Sequence, residues 1–320
     1  MARPCEHPTI RAHGRVPRVH TDVRAGDPHA GQLLAGRYRL TELVARGETG
    51  QVWRAYDEVL TRQVAVKQLG HQHSWGLTEA RIAARVRHPN VAAVHDAFEH
   101  DRSGWLVMDY HGDGTLDDLL GRRRRLPPPV VAALGLQLLA ALVAVHDAGV
   151  VHCDVKPANL LLGADGRLVL ADFGIAETDD SAHPAREDGD IVGSPAYIAP
   201  EVVRGETPRP PADLWSLAAT LYAAVEGRPP FEAADGGSTL VAVLLAAPAP
   251  TRFADRLGPL LYALLVKEPD RRPGHDAIHA ALTSAYPAGA DRSRTVEHPS
   301  TSTTAAAPPT VHDLTDAASM

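Results

Sequence analysis

One stretch constrains the fold of this chain more than any other. It runs His152-Cys153-Asp154-Val155-Lys156-Pro157-Ala158-Asn159, then Leu160-Leu161-Leu162, a Gly163-Ala164-Asp165-Gly166 turn, Leu168–Ala171 and Asp172-Phe173-Gly174. The two apolar runs around Asp165-Gly166 read as a β-hairpin. Asn159 enters its first strand and Asp172 leaves its second, so antiparallel pairing brings both to one end. Two oxygen ligands there suit Mg²⁺, which takes few protein ligands beside phosphate oxygens; Mn²⁺ is an alternative. Asp154 lies one turn before Asn159 and can accept a proton from an attacking hydroxyl. Lys156 would neutralise charge on a transferring phosphoryl group.

Upstream residues fit the same chemistry. Ala45-Arg46-Gly47-Glu48-Thr49-Gly50-Gln51-Val52 lies between two strand-like runs. Its glycines would let backbone N–H groups approach a triphosphate, although such a segment by itself reads equally as an ordinary turn. In Val64-Ala65-Val66-Lys67, Ala65 and Lys67 share one strand face. Small Ala65 leaves room for an adenine ring, and Lys67 would reach the α- and β-phosphates. Glu79 falls on one helix face with Ala83 and Val86 and could hold Lys67. Taken singly, Lys67 is also readable as an edge charge and Glu79 as a surface residue.

The order of elements sets the architecture. Tyr38–Val44, Gln51–Tyr56, Arg62–Leu69, Val91–Phe98 and Trp105–Met108 read as strands, with a helix over Leu77–Val86. After Gly112 the pattern turns helical, with Val130–Ala148, Asp213–Val225, Leu257–Leu265 and His275–Ser284. Strands first and helices afterwards predict an α+β protein of two lobes. The small β-rich lobe covers about 36–110 and the larger α-helical lobe about 111–286, with a hinge at His111–Gly114. Residues 1–35 and 287–320 lack apolar periodicity and read as a disordered arm and a Ser/Thr/Ala/Pro-rich tail.

Composition removes several function classes. The chain has 320 residues, 44% hydrophobic, enough for a sizeable core. A net charge of −7 gives no support to nucleic-acid binding. Its two cysteines, Cys5 and Cys153, lie too far apart to suggest a disulfide framework, and a cytoplasmic location is expected. The N-terminus lacks a signal-peptide core. The apolar run within Val130–Val151 is interrupted by Gln137, His146 and Asp147, so it reads as a buried helix rather than a membrane span. The 17 histidines show no zinc spacing. The Arg122–Arg125 run reads as a solvated loop between helices.

Over about residues 36–286 the sequence resembles the eukaryotic-like serine/threonine protein kinases of bacteria. The resemblance rests on the Gly47/Gly50/Val52 loop, Val64–Lys67, Glu79, His152–Asn159, Asp172-Phe173-Gly174, Gly193–Glu201, Asp213-Leu214-Trp215 and Arg271-Arg272-Pro273. It implies ATP and Mg²⁺ as cofactors and protein serine or threonine hydroxyls as acceptors, with transient self-association for autophosphorylation. It implies that Val52, Ala65 and Leu161 sandwich the adenine and that Val44 and Ala45 border it. Met108 would guard the back of the pocket, and Asp109 and His111 would offer hinge backbone groups. Glu201 would pair with Arg272, and Asp213 would brace the catalytic loop. Lys156 and Ser194 match the serine/threonine pattern. Ala45, Cys153 and Ala218 depart from the family, which carries glycine, arginine and glycine there. A pseudokinase lacking transfer is the alternative, and Lys67, Asp154, Asn159 and Asp172 together weigh against it. A small-molecule phosphotransferase would lack the Ser194–Glu201 segment.

Cys153 stands where many relatives carry an arginine that grips a phosphorylated residue of the segment 172–201. That segment already carries Glu177, Asp179, Asp180, Glu187, Asp188 and Asp190 against Arg186. A phosphate there adds about −1.5 to −2 of like charge. The expected outcome is activity without phosphorylation of the segment. Dephosphorylated Thr178→Ala/Ser181→Ala protein should keep its initial rate. A loss beyond ~tenfold would show that another cation replaces the missing arginine.

Overall fold

The computed structural model describes residues 28–47, 50–69, 84–101, 103–172 and 194–286. Alternating apolar residues at the start of this range form six strands: β1 (Leu33–Leu34), β2 (Tyr38–Gly47), β3 (Gly50–Asp57), β4 (Arg62–Leu69), β5 (Val94–His100) and β6 (Ser103–Met108). They pair antiparallel in the order β1-β2-β3-β4-β6-β5. Period-2 alternation gives this sheet two different faces. Leu34, Tyr38, Leu40, Trp53, Val64, Val66 and Trp105 form one core, while Ala65, Leu106 and Met108 cluster on the other side.

The structure corrects the expected N-terminal boundary. Residues 28–35 were expected in a disordered arm, yet Leu33 and Leu34 pair with Arg39 and Tyr38, and Leu34 is fully buried. The short Leu33-Leu34 pair is too brief to show periodicity, and a positive-φ Gly36 turns it back onto β2. Most of the expected helix over Leu77–Val86 lies outside the described residues; residues 84–86 are turn and irregular chain.

One ion pair pins the far edge of the sheet. Asp57 accepts two hydrogen bonds from Arg37, at 2.8 and 2.7 Å, and the Val59 and Leu60 amides at 3.1 Å. These donors hold its carboxyl well down, at about 2.

The second lobe is built on helices α1 (Leu116–Arg123), α2 (Pro128–Asp147), α3 (Pro200–Val203), α4 (Pro210–Glu226), α5 (Gly236–Leu245), α6 (Gly258–Leu264) and α7 (His275–Ala285). A two-stranded hairpin, β7 (Leu160–Leu162) with β8 (Leu168–Leu170), lies between α2 and α3 in sequence. Thr115 and Asp118 cap α1 reciprocally, and the run Arg122–Arg125 begins inside its last turn rather than in a loop. Helix α2 is long and apolar enough to cross a membrane, and half of it is buried against protein. It packs on α4, α7 and β8. A Cβ at Gly135 would lie 3.0 Å from both Leu221 and Leu282, so a residue without a side chain allows this close approach.

Leu34→Ala should cost roughly 2–5 kcal/mol of unfolding free energy, because it empties a fully buried site. Urea denaturation of wild type and variant measures this. A change under ~0.5 kcal/mol would mean that β1 is no part of the folded unit.

Candidate active site

The loop from His152 to Asn159 is held from below. The Asp213 side chain, on buried α4, accepts the His152 amide at 2.8 Å through Oδ2 and the Cys153 amide at 2.9 Å through Oδ1. His146 of α2 meets the same Oδ2 at 2.8 Å. Asp213 is fully buried, so its charge is tolerable only with these donors around it. They also fix a local strain: Cys153 has φ 64°, a region that a non-glycine residue enters at a cost. Burial pushes the His152 imidazole below its ordinary pKa, and its Nδ1 accepts the Asp154 amide at 3.3 Å.

Asp154 is set by its neighbours in the loop. Its Oδ2 receives Asn159 Nδ2 at 2.7 Å and Lys156 Nζ at 2.8 Å. Asn159 Nδ2 also donates to the Asp154 carbonyl at 2.8 Å. Among the described residues, Oδ1 of Asp154 has no partner. Since the Asn159 amide nitrogen is spent on Asp154, its carbonyl oxygen remains to meet a cation.

The hairpin brings the second acid alongside. Leu160 pairs with Leu170, and the Ala171 amide donates to the Asn159 carbonyl at 2.9 Å, so Asn159 and Asp172 sit at one end. Asp172 has φ 55°, again left-handed. Its Oδ1 lies 3.0 Å from Lys67 Nζ, which is buried on β4. Lys67 thus faces Asp172. Glu79, expected to hold Lys67, lies outside the described residues. Two residues absent from the sequence-based expectations hold this hairpin. Asn90 Nδ2 donates to the Leu168 carbonyl at 2.7 Å, and Gln137 takes the Leu168 amide at 2.9 Å and donates to the Gly166 carbonyl at 3.2 Å. The signal for Gln137 was a lone amide inside an apolar helix.

An apolar cluster lies on the sheet face that also carries Lys67. Ala65 pairs directly with Met108, and Val52 packs beside them. Leu161 is half-buried in a neighbouring cluster with Ala92, Val169 and Ala171. The chain from Asp109 to Gly114 is irregular. The Asp109 amide is spent on the Ala93 carbonyl at 3.1 Å, which leaves the Asp109 carbonyl for a ligand. His111 is half-buried, and among the described residues its Nε2 is shielded without a hydrogen-bond partner.

The glycine-bearing loop is less informative than its sequence suggests. Gly47 pairs with Gly50 at its base, and residues 48–49 lie outside the described range. Gly50 has φ 131°, and a Cβ there would run into the Gln68 carbonyl. The sheet itself therefore demands glycine at this position. Ala45 pairs with Val52 and is exposed. Val44 falls at a register irregularity of β2 and is 50% exposed.

Farther from the hairpin, Arg272 and Glu201 form a buried bidentate pair at 2.6 and 2.8 Å. Ser216 on α4 donates to the Tyr197 carbonyl at 2.8 Å, which ties the turn Pro195–Tyr197 to the same helix that carries Asp213.

Comparison with known proteins agrees with this geometry. The protein kinase domain family matches residues 38–286. Serine/threonine-protein kinase PknA of Mycobacterium tuberculosis is 37% identical over 280 residues, covering 81% of this chain and 64% of the relative. PknL of the same organism is 38% identical over 218 residues, covering 65% and 54%. A probable serine/threonine-protein kinase of Streptomyces coelicolor is 35% identical over 260 residues, covering 75% and 38%. The chain thus spans less than two thirds of the length of these relatives.

Asp213→Asn would turn an amide group toward loop N–H donors. The expected cost is about 2–4 kcal/mol, since a buried, charge-assisted set of bonds is broken. Chemical denaturation measures it. A loss under ~1 kcal/mol would show that the loop is held by other contacts.

Proposed function

The chain belongs to the bacterial serine/threonine protein kinase family, and from that premise we propose that it transfers the γ-phosphoryl group of ATP to serine and threonine hydroxyls of proteins. The observation that carries this reading is the convergence of Asp154, Lys156, Asn159, Asp172 and Lys67 at one end of a hairpin. A pseudokinase would not be expected to keep all five.

ATP with its divalent cation supplies the transferable phosphoryl group and part of its charge neutralisation. The chain supplies position and proton handling. Asp154 is the base. Its Oδ2 is committed to Asn159 and Lys156, which leaves Oδ1 to take the proton of the attacking hydroxyl. Lys156 lies 2.8 Å from the base, and its ammonium group would neutralise negative charge on the transferring phosphoryl group. Lys67 would steady the phosphates that remain. The Asn159 side-chain Oδ1 and the Asp172 carboxylate would hold the cation. Two hard oxygens with room for phosphate and water favour Mg²⁺. Ala65, Val52, Leu161 and Met108 would exclude water around the adenine, with Asp109 and His111 at its edge.

The same reading places the protein in the cytoplasm and extends to phosphorylation of its own tail. Thr295 follows Arg292 and Arg294, and all five residues of Ser300–Thr304 carry a hydroxyl. The tail lies outside the described residues. Transient pairing of two copies would deliver it to an active site.

The test uses purified protein with Mg-ATP and a protein acceptor. Asp154→Asn should lower the rate by roughly 10²–10⁴ while leaving ATP binding in place. Asp172→Asn should be at least as damaging, with weaker cation binding. Wild-type transfer by either variant would sink the assignment.

A further inference from the structure

The Arg122–Arg125 run has no place in the transfer chemistry, yet it is held in position. The Leu126 amide donates to the Ala224 carbonyl at 2.7 Å, which ties the chain after the run to α4. Arg125 stacks 3.8 Å over the Phe253 ring. Arg124 then turns through φ 64°. It lines a cavity of about 300 Å³ together with Asp117 and Leu120 of α1, Tyr197, and Arg228 and Pro229 beyond α4. Arg124 and Arg228 are exposed, and among the described residues neither is paired with a carboxylate. Among the lining residues two are cations and one, Asp117, is an anion, and the Glu232 carboxylate also acts on the Tyr197 hydroxyl.

Its position points to the occupant. Helix α1 packs on the Pro157–Asn159 turn of the catalytic loop, and Thr115 at its start bridges to Leu161. Tyr197 belongs to the turn tied to α4 by Ser216. The cavity therefore lies on a helix that also contacts the catalytic loop and on a turn tied to the helix that carries Asp213. We propose that this cavity binds acidic side chains flanking the phosphoacceptor, with Arg124 and Arg228 as the residues that select them. The proposal rests on the kinase reading and names its substrate class: serine or threonine within an acidic segment. Exposed guanidinium groups contribute modestly to affinity but strongly to selection, since like charge is rejected.

Binding is measured separately from catalysis. A fluorescent peptide with one threonine and three glutamates before it, and a second with the glutamates after it, are compared with their glutamine counterparts by anisotropy. At least one glutamate peptide should bind about tenfold more tightly than its counterpart, with an advantage that shrinks in high salt. Arg124→Gln/Arg228→Gln should remove that advantage without lowering the melting temperature. It should also leave ATP hydrolysis in the absence of peptide unchanged, which reports the kinase reading independently. Equal binding of glutamate and glutamine peptides by the wild type, or an undiminished advantage in the double variant, would overturn the proposal. So would an oligonucleotide of equal charge that displaces the peptide from the wild type and not from the variant.

Discussion

The arrangement of this site depends on one buried carboxylate. Asp213 lies inside the helical lobe on α4, with no exposure to solvent. Burying an isolated charge is among the costlier things a fold can do. Here the cost is offset by two backbone amides and an imidazole that converge on its two oxygens. The amides belong to His152 and Cys153, immediately before the proposed base. The loop is therefore placed by the core of the lobe rather than by its own short-range preferences, and it can hold Cys153 in a left-handed conformation.

From that anchor the rest follows by short links. Asn159 closes the loop onto Asp154 and continues into the hairpin. Gln137 and Asn90 fix the far strand of the hairpin. Asp172 at its end meets Lys67, which is presented by β4 of the other lobe. The two lobes thus meet at an ion pair within the site, while Asp213 and the buried Glu201–Arg272 pair tie together segments of the larger lobe. Division of labour of this kind suits a reaction in which the protein mostly positions groups and spreads charge.

The alternation in Val64–Lys67 and the hairpin after Asn159 were legible because both are local: side-chain direction follows from a period of two, and the turn residues lie a few positions apart. For the same reason β1 was invisible. Two leucines carry no period, and only their pairing with Tyr38 and Arg39 makes them a strand. The Arg122–Arg125 run looked like solvated loop, since four like charges in sequence say nothing about what stands opposite. In the fold, one of the four stacks on Phe253 and another lines a cavity with Arg228, more than a hundred positions on.

The sequence by itself determined the two-lobed α+β order and the identity of the residues gathered around the hairpin, because residue type and spacing encode local structure and chemical capacity. Only the tertiary structure decided that Lys67 faces Asp172 and that His146, Gln137 and Asn90 support the loop and hairpin. Those outcomes rest on hydrogen bonds between residues tens to more than a hundred positions apart. Direction and partner at that range are set by how buried helices and strands pack, which no local pattern records.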